Sequence, residues 1–493
     1  MGYARSTQES RRPFGYPRWF ATLFLTDMWE RFSFYGMMAI LVLYSAGPVT
    51  AGGLGLRPTD AAALFGAYLG FVFVLALPGG WIGDRIIGAR RAVLWGGVLI
   101  ALGHYTMMLP PRGFAFAGLS LIALGTGLLK PNMSVLLSRF YGPGESAGRE
   151  AAFSIFYISI QLSALLAPII TGFLGETVGW HLGFGAAGVG MTFGVAQFAM
   201  GRRHFGDMGE RPGHPIERDQ LQAVARRVAA LIGVIGLLVA VDLATGAFSV
   251  THVVIALALV SLSVPFVYYL LLLRATPLDA SGKTRLRAFF WLLVSFSLFW
   301  MLAGQAGSML NLFALHSVDR QFWGWSLPAS WFQAAIPFFI LITAPFFAWL
   351  WTRLGDRVSA PPKFGLALSL VGMSFLIMGA AAAQATAGRS VSPLWLLGVF
   401  FLVAAGEVVI GPVGMSASVD VVPPAYTGRV IGLIWLFSAL GAGLGSQVVK
   451  LADVLPHQTY YAALGLVAVA GGVAMFCARR LRGAFNTQAD SKR

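Results

Sequence analysis

Five ionisable side chains stand where ionisable side chains are expensive. Asp27, Glu30 and Arg31 lie in an apolar run over 20–46, Lys130 in a run over 114–138 and Glu407 in a run over 391–416. A charge at the centre of a membrane-crossing helix costs at least about 2.5–3.5 kcal/mol on insertion scales, so each needs a partner or a task. Asp27, Arg31, Phe34 and Met38 recur at three- and four-residue spacing and share one helix face, with Glu30 beside it. Three carboxylates and two cations sum to −1. Such a set can trade protons: protonating Asp27, Glu30 or Glu407 would release Arg31 or Lys130 from internal pairing to hold an anionic group. The structural alternative is that the charges only neutralise one another and lock helices together. Lys130 precedes Pro131, which lacks a backbone donor and tends to kink a helix. Its ammonium then faces a cavity or snorkels to the surface. Glu407 precedes Gly411 and Pro412, which are expected to break the helix near the carboxylate.

The elements that carry these residues follow from composition. The chain has 493 residues, 57% hydrophobic and 11% charged, with a mean hydropathy of +0.73. A soluble protein is nearer 25% charged. A cytosolic enzyme, a disordered chain and a coiled coil are excluded, and the single cysteine, Cys477, excludes a disulfide scaffold. Apolar runs near 20–46, 59–82, 91–109, 114–138, 150–174, 178–200, 223–245, 248–273, 287–314, 329–352, 363–385, 391–416, 427–450 and 458–478 predict fourteen membrane helices, an all-α polytopic protein. The +15 net charge suggests nucleic acid, but its placement does not. With the N-terminus in the cytoplasm, 28 of the 35 basic residues fall on the cytoplasmic side. Outside lie Arg57, Arg112, Arg320, Arg389 and Lys450, and within spans Arg31 and Lys130. This asymmetry fixes the orientation, and an even helix number returns Arg479, Arg480 and Arg482 to the cytoplasm. Arg5, Arg11, Arg12 and Arg18 precede the first run and no small-residue cleavage site closes it, so that run is expected to be retained.

An internal repeat is visible. GGWIGDRIIGARR at 79–91 follows the second helix and WTRLGDRVSAPPK at 351–363 follows the tenth. With 223–273 taken as an inserted helix pair, each Gly-Asp-Arg follows the second helix of a six-helix half. Two such halves joined by a basic loop are the plan of major facilitator transporters, with a cavity between the halves. The expected domains are 1–200 and 287–480 as the two bundles, 201–286 as linker with the inserted pair, and 481–493 as a tail. Asp84, Arg85, Asp356 and Arg357 are candidates for holding the cytoplasmic face shut, against plain turn chemistry. Tyr68, Tyr157, Gln161, Gln305, Ser308 and Asn311 read first as interhelical hydrogen-bond glue, worth about 0.6 kcal/mol each. The seven histidines lack metal-ligand spacing, and neither a phosphate loop nor GxSxG occurs.

At these residues the chain resembles the proton-coupled oligopeptide transporter family of the major facilitator superfamily, over nearly its whole length. DMWERFSFYG at 27–36 is similar to the family's first-helix segment, and GTGLLKPN at 125–132 to its fourth-helix lysine segment. FSIFYISIQLSALLAP, GWHLGFGAAGVGM, FWMLAGQAGSMLNLFA, SWFQAAIPFFI and GEVVIGPVGMS resemble later segments. The pair at 223–273 resembles an insertion common in bacterial members. The resemblance implies that Arg31 and Lys130 receive a peptide carboxylate. Glu407 would receive the amino group and pair with Lys130 in part of the cycle. Asp27 and Glu30 would couple protons with Arg31, and Tyr35, Tyr68, Gln161, Gln305 and Trp435 would line the pocket. A zwitterionic peptide needs a cationic and an anionic patch set apart.

The chain departs from the family at several of these positions. Asp27 stands for a glutamate, Phe34 for a tyrosine, and Gln161 and Ile336 for asparagines. Met38 and Gly304 replace an Arg and a Glu that pair across the external gate. Losing both together avoids stranding one buried charge. The expected protein is a monomeric importer of di- and tripeptides in the bacterial inner membrane, not an enzyme, with no cofactor but protons, no metal and no nucleic-acid partner. The alternatives are the same fold moving another organic anion, peptidomimetic or exported peptide metabolite, a membrane enzyme acting on lipids, and a channel. The sequence holds no catalytic dyad for the enzyme, and the paired halves disfavour the channel.

Overall fold

The structure is a computed structural model that describes residues 16–110, 112–141, 146–247, 249–275, 278, 280–385, 389–419, 421–422, 426–478 and 481. Its helices are α1 (Arg18–Ala46), α2 (Pro58–Ile82), α3 (Ala89–Met107), α4 (Arg112–Arg139), α5 (Ser146–Phe173), α6 (Trp180–Gly201), α7 (Arg218–Ala244), α8 (Val250–Ala275), α9 (Ala280–Ala303), α10 (Met309–Ser317), α11 (Ala335–Leu354), α12 (Ala360–Gln384), α13 (Pro393–Val419), α14 (Thr427–Val448) and α15 (His457–Cys477). A hairpin of β1 (Gln321–Phe322) and β2 (Trp325–Ser326) joins α10 toward α11. Twelve helical segments are long and apolar enough to cross a membrane, with α9 and α10 counted as one. The charge-bearing α1 and the shorter α3 bring the described segments to the fourteen expected from the sequence.

Backbone and hydropathy part company in three places. The helices α7 and α9 begin at Arg218 and Ala280, earlier than the apolar runs at 223 and 287, because basic residues that favour helix extend them beyond the lipid-crossing part. The expected break beside Glu407 is absent: α13 runs unbroken through Gly411 and Pro412, as α4 does through Pro131. The interrupted span is instead α9–α10, where Gly304–Gly307 tighten into a 3-10 turn and Ser308 leaves helical geometry (φ −119°, ψ −96°). Two glycines in four residues weaken the helix there, and Gly307 lies so close to the Phe65 ring that a Cβ would meet it at 2.3 Å.

The two Gly-Asp-Arg segments also differ from each other. Residues 79–82 are still α2, and Gly83–Ile87 continue it as one π-helical turn that ends at Gly88 (φ +83°). In the other repeat α11 stops at Gly355 (φ +53°), followed by a 3-10 turn. Gly83 stays helical under the Asn132 side chain, where a Cβ would meet Oδ1 at 1.8 Å.

Packing groups the helices. Helix α1 lies against α5 and α6, α2 against α4, and α3 against α4 and α6. In the C-terminal part α12 lies against α9, α13 and α15, α11 against α13, and α9 against α14. The two groups meet most closely along α2 and α14. Helix α8 packs on both of these, while α7 buries no residue. Small residues permit the closest approaches, the usual device where no hydrophobic effect separates lipid from protein. Gly79 of α2 touches the backbone of Gly127 on α4, and the Asn132 amide donates to the Gly79 and Leu128 carbonyls at 2.9 and 2.8 Å. This seam fixes the height and rotation of Lys130.

We predict that Gly79→Ala, whose Cβ would sit 2.0 Å from the Gly127 oxygen, destabilises the purified protein by about 1–3 kcal/mol and lowers its melting temperature. Gly113→Ala, whose Cβ meets nothing within 4 Å, should leave the melting temperature unchanged. Thermal unfolding in detergent compares the two directly.

Candidate functional site

Helix α1 brings Asp27, Glu30 and Arg31 to its contact with α5 and α4. The Glu30 side chain is 1% exposed and lies between two cations, with one oxygen 3.5 Å from Arg31 Nε and the other 3.7 Å from Lys130 Nζ. Neither oxygen accepts a hydrogen bond from the protein. Charge alone holds them, and the separations exceed ordinary hydrogen-bond lengths. Asp27 is also buried; one oxygen sits 3.7 Å from Arg31 Nε and the other accepts from the Ser159 hydroxyl at 3.1 Å. The Lys130 ammonium lies 3.7 Å from the centre of the Phe34 ring, a cation–π contact. Phe34 thus supports the lysine through its ring face, with no hydroxyl needed. The four N-terminal charges cancel.

Glu407 stands apart on α13. Among the described residues it has no ion pair, and it is only partly buried. Tyr35 lies within electrostatic reach of Arg31, Glu30, Asp27 and Glu407. Tyr157 on α5 is also within reach of Glu407 and hydrogen-bonds to the buried Gln161 side chain. A neutral, cation-bearing cluster on α1 and α4 and a carboxylate on α13 without an ion pair among the described residues thus share a neighbouring tyrosine. Lys130 pairs with Glu30 in this state rather than with Glu407.

The other candidates scatter more widely. Gln305 is buried and accepts from the Tyr460 hydroxyl at 2.7 Å, within the C-terminal group. Tyr68 is buried and its hydroxyl has no protein partner. Trp435 is exposed and stacks on Phe73, with ring centres 6.0 Å apart, bridging α14 to α2. The described partners of Asp84 are basic groups at helix ends and in the linker. Asp84 binds His214 Nδ1 at 3.0 Å and lies 4.0 Å from Arg139 and Arg85. Backbone bonds from His214 and Ile216 to residues 84 and 85 dock the linker there as well. Arg357 is exposed, and the Asp356 side chain lies outside the described residues, as do Arg479, Arg480 and Arg482. Among the described residues no cluster of three His, Cys, Asp or Glu side chains forms a metal site.

Two partners escaped the sequence reading. Ser159 lies two residues from Gln161 in FSIFYISIQ, off the face that Gln161 shares with Tyr157 at i, i+4, so that spacing did not point to it. Glu176 gave no signal, because its partners are backbone groups. In the turn after α5 its carboxylate accepts from the Ala329 and Ser330 amides at 2.7 and 2.8 Å and from the Ser330 hydroxyl at 2.5 Å. It thereby holds the turn that leads into α11, across the two groups of helices. Further cross-group contacts gather at the same end. The Asn311 amide donates to the Ala39 carbonyl at 2.8 Å, the Trp331 indole to the Ile169 carbonyl at 3.0 Å and the Thr59 hydroxyl to Asp453 at 2.8 Å, with Arg57 3.7 Å from Asp453. These polar contacts between α1–α6 and α9–α15 all lie at this end. Met38 is buried there, and a Cβ at Gly304 would meet open space.

Comparison with known proteins identifies the family. The sequence pattern of the POT family matches residues 90–466. The chain is 36% identical to an uncharacterised transporter of Bacillus subtilis, over 93% of each chain. It is 32% identical to a di-/tripeptide transporter of Lactococcus lactis subsp. cremoris, over 95% of this chain and 96% of that one. Its fold matches a crystal structure of a peptide transporter, POT, in complex with sulfate, with a TM-score of 0.91, 35% identity and 97% of each chain covered. The match to the family pattern and to full-length relatives shows that this multi-pass membrane protein belongs to the POT family, whose members are transporters rather than enzymes.

Proposed function

We propose that the chain imports di- and tripeptides together with protons by alternating access. The observation that carries the proposal is the separation of charge: a neutral cluster holding Arg31 and Lys130 on α1 and α4, and on α13 Glu407, without an ion pair among the described residues, with Tyr35 within electrostatic reach of both. A short peptide carries opposite charges at its two ends. Its carboxylate would take Arg31 and Lys130, and its amino group Glu407. A proton on Glu30 would release Lys130 and loosen Arg31, and a proton on Asp27 would loosen Arg31 further, because each cation then loses a charge that holds it. The loose, hydrogen-bond-free seat of Glu30 makes that exchange easy, since no oriented donor must be broken. The membrane potential assists inward charge movement by about 2.3 kcal/mol per charge per 100 mV. No cofactor beyond protons enters this scheme.

The moving parts would be the bundles 1–200 and 287–480, with 201–286 as linker and inserted pair and 481–493 as tail. We place the protein in the bacterial cytoplasmic membrane, acting as a monomer with both termini inside. In that orientation the end gathered by Glu176, Asn311 and Asp453 is external, so this state is closed outward. Backbone amides gripped by Glu176 take the place of the ion pair that Met38 and Gly304 lack. Each hydrogen bond to a charged group is worth about 1.5–3 kcal/mol.

Labelled dialanine uptake into proteoliposomes, with and without an imposed proton gradient, tests the reading. Gradient-driven accumulation supports it, and uptake indifferent to the gradient removes the coupling. Glu407→Gln should abolish gradient-driven accumulation while leaving the protein folded. Lys130→Ala removes one of the two cations facing buried Glu30, a change of about 3–5 kcal/mol for such pairs, and should reduce uptake at least tenfold; unchanged transport would return Lys130 to a structural role. For the external closure we predict that Glu176→Ala raises the labelling rate of Gly304→Cys by an external, membrane-impermeant thiol reagent in a Cys477→Ser background. Equal rates with and without Glu176 would show that this carboxylate does not hold the gate.

A further inference from the structure

A cavity of about 160 Å³ lies away from the charges described above, between the start of α3 and the end of α6. Its walls are Arg90, Arg91, Leu94, Phe198, Arg202 and Glu210. Three guanidiniums against one carboxylate leave it a formal charge of +2. Arg90 is already engaged: its side chain donates to the Gly206 carbonyl at 2.9 Å and lies 3.9 Å from Glu210. Its backbone amide donates to Gly209, so the turn 206–210 is bound down as one wall. Among the described residues neither Arg91 nor Arg202 has an ion-pair partner, and both are exposed. Two guanidiniums converging without an anion are suited to a phosphate, which their planar forks grip through paired hydrogen bonds.

The surroundings decide between a dissolved and a lipid-borne phosphate. Leu94 and Phe198 give the cavity an apolar floor, which a small inorganic ion would not use. Arg91 stands at the end of an exposed stripe on α3 that continues through Trp95 and Leu102. On the adjoining α6, Phe193 and Met200 are 58% and 68% exposed. These side chains form an apolar track leading from the arginines along the membrane-facing side of the bundle, and Tyr105 ties the two helices together there by bonding to Thr192 at 2.8 Å. Basic pockets at helix ends facing a negatively charged leaflet bind anionic head groups. We propose that this cavity binds the phosphate of an anionic glycerophospholipid, with the head group on Arg91 and Arg202 and an acyl chain along Trp95, Leu102 and Phe193. The lipid would pin the turn 206–210 and the root of the linker to α3.

The test is native mass spectrometry of the delipidated full chain titrated with phosphatidylglycerol or phosphatidylcholine. The wild-type protein should retain phosphatidylglycerol over phosphatidylcholine. The double substitution Arg91→Gln with Arg202→Gln should lose roughly 10–30-fold in phosphatidylglycerol affinity. Arg91→Lys with Arg202→Lys keeps the charge but loses the forks, and should bind between the wild type and the glutamine pair, which separates a site effect from misfolding. Arg226→Gln with Arg227→Gln, a basic pair exposed on α7, should bind like wild type. Equal losses in the two glutamine pairs would reduce the effect to general surface charge and overturn the proposal, as would no loss in the first pair. A third arm adds inorganic phosphate alone. If millimolar phosphate displaces phosphatidylglycerol through Arg91 and Arg202, the cavity is a free-anion site and the lipid assignment falls.

Discussion

Burying a carboxylate between two cations is the constraint from which the rest of the molecule follows. Glu30 has almost no exposed surface and accepts no hydrogen bond, so the nearby Arg31 and Lys130 are what balance its charge. The two cations come from different helices. The relative position of α1 and α4 is therefore a condition of electrical balance as well as of packing. Because the set is neutral as a whole, any shift of one helix against the other disturbs that balance.

The seam between α2 and α4 makes that balance tight. Gly79 and Gly127 let two backbones touch, and Asn132 bonds to both helices two residues from Lys130. A lysine on a long flexible stem loses freedom when its helix is fixed this closely and its head rests on the Phe34 ring. The wider contact of α2 with α14 brings the opposing group of helices to the same support. Helix α8 adds to that contact from outside, whereas α7 buries no residue.

Much of this was legible in the residues. Membrane-crossing runs are written in hydropathy, because a bilayer demands about twenty apolar residues in succession, and the helices fall where the runs do. Charges in such runs announce themselves by cost, which is how Asp27, Glu30, Arg31, Lys130 and Glu407 stood out. What was hidden depends on local geometry. The break in a span was expected at Gly411 and Pro412 but occurs at Gly304–Gly307, since a proline is accommodated inside a continuous helix while paired glycines beside a ring are not. The Gly-Asp-Arg repeat holds in sequence and not in conformation, because Asn132 presses on one copy and nothing presses on the other. The pairing of Asp84 with His214 depends on a linker whose path has no periodic signal.

The contact made by Glu176 has a consequence for how this closure varies between relatives. A carboxylate that grips side-chain cations constrains two positions, and each must change when the other does. A carboxylate that grips backbone amides constrains only itself, for every residue except proline supplies the same donor. Position 329 is thus free to change without breaking the backbone bond, while at 330 only the added bond from the serine hydroxyl depends on identity. Matched substitutions, the usual trace of a contact in a family of sequences, will not mark this one. The only changes opposite Glu176 that break the backbone bonds directly are those that remove a nitrogen-bound hydrogen.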